Sequence, residues 1–264
     1  DYLQRLGINA IQLMPVQEFE GHEGWGYNPS YHMALDKDYG SADALRALVE
    51  ECHSRGMAVI LDVVYNHAFG QSPLALLYWD GAQNRPAANN PWLNPIPKHD
   101  FNVGNDFNHE SPATKYFVKR VISWWMQTYG IDGFRFDLAS GFTQRNSLGN
   151  FNEWARYDTS RINNIQEYAD LMWSIDPESY VILENFVDNS ERKELSSRGM
   201  MLWGNMSIEY GQASKGFGGS DLGGSWWEHV GWGEPGLIAY MESHDEERLM
   251  YKNLTAGNSG PGYN

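Results

Sequence analysis

Six short runs of the chain are almost continuously apolar: Ile8 to Met14, Met57 to Val64, Ile131 to Phe136, Tyr180 to Leu183, Met200 to Trp203 and Leu237 to Met241. Unbroken rather than alternating hydrophobicity is what a strand needs when both faces of its sheet are covered, so these runs predict buried parallel strands. Between them the apolar period lengthens to that of a helix. Ser41 to Arg55 has a capping serine, apolar Leu45, Leu48, Val49 and Cys52 on one face, and Gly56 as its stop. Ser111 to Tyr129 repeats the design, with Pro112 at the first helical position and Gly130 past the end. A weaker helical pattern runs from Arg161 to Ser174 and ends at Asp176-Pro177. Strand and helix in steady succession predict a parallel α/β fold.

Two segments break this rhythm. Ala68 to His109 is rich in Pro, Asn and Gly and shows neither period, and Ser214 to Gly236 is similarly irregular, with Trp226, Trp227 and Trp232. A loop as long as the first is usually functional when it interrupts a compact domain. With 264 residues, 42% of them hydrophobic and 14% aromatic, the chain has ample material for a core. Nineteen basic residues against 34 acidic ones give a net charge of −15. Such a surface repels phosphate backbones and anionic lipid, which removes nucleic acid and membrane from the expected partners. No apolar run approaches the roughly 20 residues of a membrane helix. Cys52 is the only cysteine, so the chain can form neither an internal disulfide nor a thiolate metal cluster.

The chemistry concentrates at the ends of the predicted strands. Asp62, Asp137, Glu184 and Asp245 each stand at or just after the C-terminal end of one, the end at which parallel α/β barrels build their active sites. A single acid there could merely cap the next helix. Four together, with basic and imidazole neighbours, point to a site. Arg135 precedes Asp137 by two residues, so on a strand both side chains share a face, and a fixed cation keeps a carboxylate ionised. His67 follows Asp62 by five residues and His244 adjoins Asp245, offering donors for substrate hydroxyls.

The segments Asp62-Val-Val-Tyr-Asn66-His67, Gly133-Phe-Arg135-Phe-Asp137, Ile182-Leu-Glu184 and Met241-Glu-Ser-His244-Asp245 resemble, in order and spacing, the four signature regions of the α-amylase superfamily, glycoside hydrolase family thirteen. Leu6 to Pro15 is similar to that family's second barrel strand, and Gly26-Tyr27-Asn-Pro29 to the segment whose aromatic stacks on the sugar being cleaved. The resemblance implies a (β/α)8 TIM barrel in which Asp137 is the nucleophile, Glu184 the general acid/base and Asp245 the transition-state stabiliser. Tyr27, His67, Arg135 and His244 would bind the substrate, and Asp62 would support Arg135. The implied activity is retaining hydrolysis of α-1,4-glucans such as starch, glycogen or maltodextrins through a glycosyl-enzyme intermediate. A transglycosylase of the same family, such as a branching enzyme, is the alternative. A non-catalytic carbohydrate-binding relative would ordinarily lack one of the three carboxylates, and all three are present. The apolar neighbours Val181, Ile182, Leu183 and Phe186 suggest surroundings for Glu184 that favour its protonated form.

The pattern departs from the α-amylases proper after Asp137, where Leu138-Ala-Ser-Gly141 replaces the usual Lys-His pair associated with substrate and calcium. The resemblance therefore leaves two roles open for Asn66, a calcium ligand or a hydrogen-bonding residue within the site, and it implies no required cofactor. It also implies domain organisation: residues 1–67 and 110–264 as two parts of the barrel, domain A, with 68–109 as a small inserted domain B after the third strand. In that register the chain carries strands two to seven, so a truncated barrel is expected. The first and eighth strands would be missing, as would the C-terminal β-sandwich usual in the family.

Overall fold

A computed structural model describes residues 1–260, and the chain divides into two compact units, Asp1–Asp188 and the part from Asn189 onward. The first unit opens with α1 (Tyr2–Arg5), β1 (Ala10–Leu13) and an antiparallel pair, β2 (Gln17–Phe19) and β3 (Pro29–Leu35). It continues through α2 (Ala42–Ser54), β4 (Ala58–Val63), β5 (His67–Ala68), α3 (Pro73–Leu76), β6 (Trp79–Asp80), β7 (Arg85–Pro86) and β8 (Asn105–Asp106). Then come α4 (Pro112–Tyr129), β9 (Gly133–Phe136), α5 (Phe151–Ala155), α6 (Thr159–Ile175) and β10 (Tyr180–Leu183). Strands β1, β4, β9 and β10 form one parallel sheet in that order. The predicted apolar runs thus become strands, and the three predicted helices become α2, α4 and α6. The β2–β3 pair carried no such run and was not foreseen.

The caps explain the helix bounds. Ser41 Oγ accepts the Ala44 N–H, Ser111 Oγ accepts that of Ala113, and Asp158 accepts those of Ser160 and Arg161, so α6 starts two residues before its apolar pattern does. Gly130 closes α4 at φ 67°, a left-handed conformation that a side chain would disfavour. Val118, Val121, Ile122 and Trp125 bury one face of α4, while Ile162, Ile165, Tyr168 and Met172 bury one face of α6. The apolar composition of β4 and β9 follows from burial on both sides: every residue of β9 and all but the first of β4 are buried.

Residues 68–109 are less shapeless than their composition suggests. β5 pairs antiparallel with β8, β6 with β7, and Leu93 bridges to Phe107. Ala68, Ala75, Leu93 and Phe107 form a small core, against which Leu74, Trp92 and Phe117 of α4 pack. Two-residue strands are too short to show a period, which is why the pattern hid them.

The second unit contains α7 (Asn189–Ser197), β11 (Met201–Asn205), α8 (Ser207–Ser214), β12 (Leu237–Tyr240) and α9 (Leu249–Ala256). β11 and β12 pair in parallel, Leu202 opposite Leu237. Between α8 and β12 the chain is irregular apart from a single turn of 3₁₀ helix at Gly223–Ser225. Trp232 anchors it: the ring is buried, donates to Asn189 Oδ1 at 2.9 Å and lies under the Arg192 guanidinium. No helix among the described residues is long and apolar enough to cross a membrane.

Three buried histidines of the first unit set its response to acid. His109 donates from Nε2 to the Tyr65 carbonyl at 2.7 Å, accepts from the Tyr168 hydroxyl at 2.8 Å and stacks on Phe142, a set of partners that suits the neutral ring. His32 is packed among Tyr65, Phe107 and Phe117. Burial pushes His32, His67 and His109 down from 6.5 to about 4. The stability that depends on their neutral forms is therefore complete above pH 6.5 and lost as pH falls toward 4. Burial also raises Asp62, which opposes this in part. Unfolding free energy should still fall as pH drops from 6.5 toward 4, because the unfolded chain takes up protons on three imidazoles that the fold keeps neutral. Thermal melts between pH 7 and 4 check this, and a flat profile over that range would contradict it.

Candidate active site

In-register pairing brings the first residues of the site together. Asp62 on β4 stands directly opposite Arg135 on β9, so the acid and the base face each other across one strand spacing. Arg135 is wholly buried, and its Nη1 lies 2.7 and 2.9 Å from the two Asp62 oxygens. The same nitrogen donates to Asp137 Oδ1 at 2.8 Å, as two residues on one face of a strand allow. Nη2 lies 3.0 Å from Glu184 Oε2 at the end of β10. One guanidinium thus touches carboxylates from three consecutive strands of the sheet.

The electrostatics follow from this crowding. Burial alone would lower Arg135, but Asp62, Glu184 and Asp137 outweigh it and hold the guanidinium above its ordinary range. For Asp62, burial is the largest influence and raises the carboxyl to about 6, against the pull of Arg135 and of the Tyr27 hydroxyl. The proton between this pair stays on Arg135, because three carboxylates share one cation.

Tyr27 precedes β3 and is half-buried. Its hydroxyl donates to Asp62 Oδ2 at 2.8 Å, and burial together with the Asp62 charge pushes the phenol upward. His67 is buried, donates from Nε2 to the Tyr27 carbonyl at 2.8 Å, and has Nδ1 3.3 Å from the Asn66 amide. Both ring nitrogens are engaged inside the protein. A donor role toward substrate, which the sequence suggests for His67, would require the Tyr27 bond to break; in the structure His67 holds the tyrosine's backbone.

The apolar surroundings expected of Glu184 are only part of its environment. Besides Arg135, the main-chain N–H of Leu138 reaches Oε2 at 2.7 Å, so the carboxyl group meets a cation and a donor at one oxygen. The neighbours in sequence alternate across the strand and say little about what faces the carboxyl itself.

Asn66 does not fit the calcium role. It is fully buried, and its Oδ1 accepts from His99 Nε2 at 3.2 Å. A Cβ added to Gly141 would lie 1.9 Å from that oxygen, so the Gly141 turn packs closely beside it. Calcium takes 6 to 8 oxygen ligands. Here an imidazole donor and a close-packed turn cover the one oxygen available, and the described residues include no group of three or more His, Cys, Asp or Glu side chains placed to hold a metal. His99, in the irregular segment, gave no sequence signal for this position. Nor did Leu138, Ser140 or Asn185, the last two joined by a 2.9 Å hydrogen bond.

In the second unit, His244 Nε2 lies 3.4 Å from Asp245 Oδ1, and Asp245 is exposed. The loop carrying them after β12 is fixed by Glu246, which accepts from the Ser243 amide and hydroxyl and from Asn205 on β11.

The family model described as alpha amylase, catalytic domain, matches residues 1–74. Malto-oligosyltrehalose trehalohydrolase of Saccharolobus solfataricus is 34% identical over 140 residues, which cover 52% of this chain and 23% of that enzyme. The 1,4-alpha-glucan-branching enzyme of Equus caballus is 30% identical over 184 residues, 69% of this chain and 24% of that one. Pullulanase from Anoxybacillus sp. LM18-11, solved with maltotriose, matches with a TM-score of 0.72 at 21% identity, over 97% of this chain and 39% of that chain. The chain therefore spans about a quarter of the length of these curated relatives. The structural likeness shows the fold, that of an α-amylase-type (β/α)8 barrel to which the six parallel strands correspond. With its signature segments on successive strand ends, a match to the alpha-amylase catalytic-domain model over residues 1–74 and these relatives beside it, the chain is similar to part of the catalytic domain of α-amylase superfamily enzymes, glycoside hydrolase family thirteen.

Proposed function

We propose that the protein is a retaining glycoside hydrolase that cleaves α-1,4-linked glucans. The observation that carries this reading is the shared guanidinium: Asp137 and Glu184, on adjacent parallel strands, contact the two terminal nitrogens of Arg135. A retaining mechanism needs two carboxyl groups about 5 to 5.5 Å apart, one to attack and one to donate a proton. Asp137, held ionised by Arg135, attacks the anomeric carbon as Glu184 protonates the departing glycosidic oxygen. Glu184 then takes a proton from water, which displaces Asp137 and releases the sugar with its original anomeric configuration. Asp245, with His244 beside it, is assigned the stabilisation of developing positive charge on the sugar ring. The half-exposed Tyr27 ring offers an apolar face for the sugar C–H groups, and its bond to Asp62 fixes the ring's position.

The substrate class rests on the relatives, whose names and bound ligand specify malto-oligosyl, 1,4-α-glucan and maltotriose groups. The branching enzyme among them supports a second reading, in which a glucan hydroxyl replaces water as the acceptor. Residues 68–109 are read as the inserted domain B between the two parts of domain A, supported by their own small core.

In the full-length protein, Asp137→Asn and Glu184→Gln should each lower kcat on soluble starch by at least about 1,000-fold while leaving the fold intact; near-normal turnover by either variant would overturn the assignment. Incubation with amylose, scoring new reducing ends against new α-1,6 branch points, separates the two readings: reducing ends in excess support hydrolysis, branch points in excess support transfer. Because Asn66 is closed by His99, EDTA should shift the melting temperature of the full-length protein and of its Asn66→Ala variant equally, and a calcium-reversible fall that Asn66→Ala abolishes would show that this site holds a metal after all.

A further inference from the structure

Leu138 has φ 45° and ψ 44°, and with Asn84 it is one of two non-glycine residues at positive φ among those described. Asn84 lies in the hairpin between β6 and β7, where asparagine tolerates this conformation. Leucine has no comparable local compensation, so the surroundings must enforce the strain.

They do so from several sides. The Asp137 N–H continues the β9 ladder to Val63 O at 2.9 Å, after which the chain turns sharply. Gly141 N–H closes the turn on Leu138 O at 2.9 Å, Arg161 Nη1 holds the Ser140 carbonyl at 3.1 Å, and the Ser140 hydroxyl donates to Asn185 Oδ1. Gly141 lies flat against Asn66 and His99, where no side chain would fit. The result of this reversal is that the Leu138 N–H leaves the strand direction and points at Glu184 Oε2, 2.7 Å away.

We propose that Leu138 is a positioning residue whose left-handed backbone holds the general acid/base: its N–H donates to Oε2 of Glu184 and so fixes the orientation of the carboxyl group. The inference rests on Glu184 being the acid/base. A general acid must present its carboxyl group to the leaving oxygen in one orientation, and a backbone donor on one carboxyl oxygen restrains rotation away from it. Charged and titratable groups near Glu184 include Arg135, Asp62 and Asp137, with Tyr27 behind Asp62. The Leu138 N–H is the donor that the turn supplies.

The direct test replaces Leu138 in the full-length protein by its α-hydroxy acid, which turns the amide N–H into an ester oxygen and keeps the side chain. Ser140→Ala, which loosens the turn's hold on Asn185, is the companion variant. On starch, the ester protein should lose about 100-fold in kcat with KM within about threefold, and Ser140→Ala about 10-fold. The basic limb of the pH profile should move to higher pH, because a donor to the ionised carboxylate has been removed. On α-maltosyl fluoride, whose leaving group needs no proton, turnover should stay within about threefold of the unaltered protein. Equal losses on both substrates would assign Leu138 a merely structural role and overturn the proposal, as would an unchanged rate and pH profile on starch. If Glu184→Gln itself kept full turnover on starch, the acid/base assignment beneath the proposal would be the part that failed.

Discussion

A cation with no exposure to water must be matched by negative charge placed against it, and that constraint organises the first unit. Arg135 is enclosed in the sheet at the one point where Asp62, Asp137 and Glu184 can reach it from three neighbouring strands. Isolated, its charge would cost several kcal/mol to bury. Surrounded by three carboxylates, it is held protonated, and each carboxylate has its position dictated by the same planar group. The strand register, the Asp62–Tyr27 hydrogen bond and the His67 contact to the Tyr27 backbone extend outward from this centre. Structural need and proposed chemistry coincide, since the group that satisfies the buried charge also fixes the two acids required for displacement at the anomeric carbon.

Much of this was legible in the sequence because strands covered on both faces leave an unmistakable apolar run. The acids Asp62, Asp137, Glu184 and Asp245 interrupt or end such runs, and an ionisable group at that place demands an explanation. The two-residue spacing of Arg135 and Asp137 carried real geometry, as period-two alternation on a strand permits only one arrangement. What was hidden depends on the third dimension. A leucine in a left-handed turn reads like any other leucine, and the donor it aims at Glu184 belongs to the backbone. His99 sits among prolines and asparagines with nothing in its spacing to connect it with Asn66, yet the fold lays one against the other. The small elements of residues 68–109 escaped for a different reason, since pairing over two residues leaves no period to detect.

The contact between Asn66 and His99 also changes how the segment 68–109 is understood. The irregular chain does more than pass over the surface, because it sends a buried imidazole to the oxygen of a residue just beyond β4 and packs Phe107 and Leu93 against α4. Gly141 then rests on this pair from the β9 side. The turn that follows Asp137 is thus supported from below by the segment and from the side by Asn185 and Arg161, which explains how a strained leucine persists there.

The claim that Arg135 and its carboxylates form the organising centre is tested most directly by comparing Arg135→Met with the double variant Arg135→Met/Asp62→Leu in equilibrium unfolding and starch turnover. The account predicts that the single change destabilises the protein by about 3 to 5 kcal/mol, since it strands Asp62 in the interior. The double change should recover most of that loss by removing the stranded charge, while activity stays absent in both because Asp137 and Glu184 have lost their common anchor. A single variant as stable and as active as the unaltered protein would contradict it.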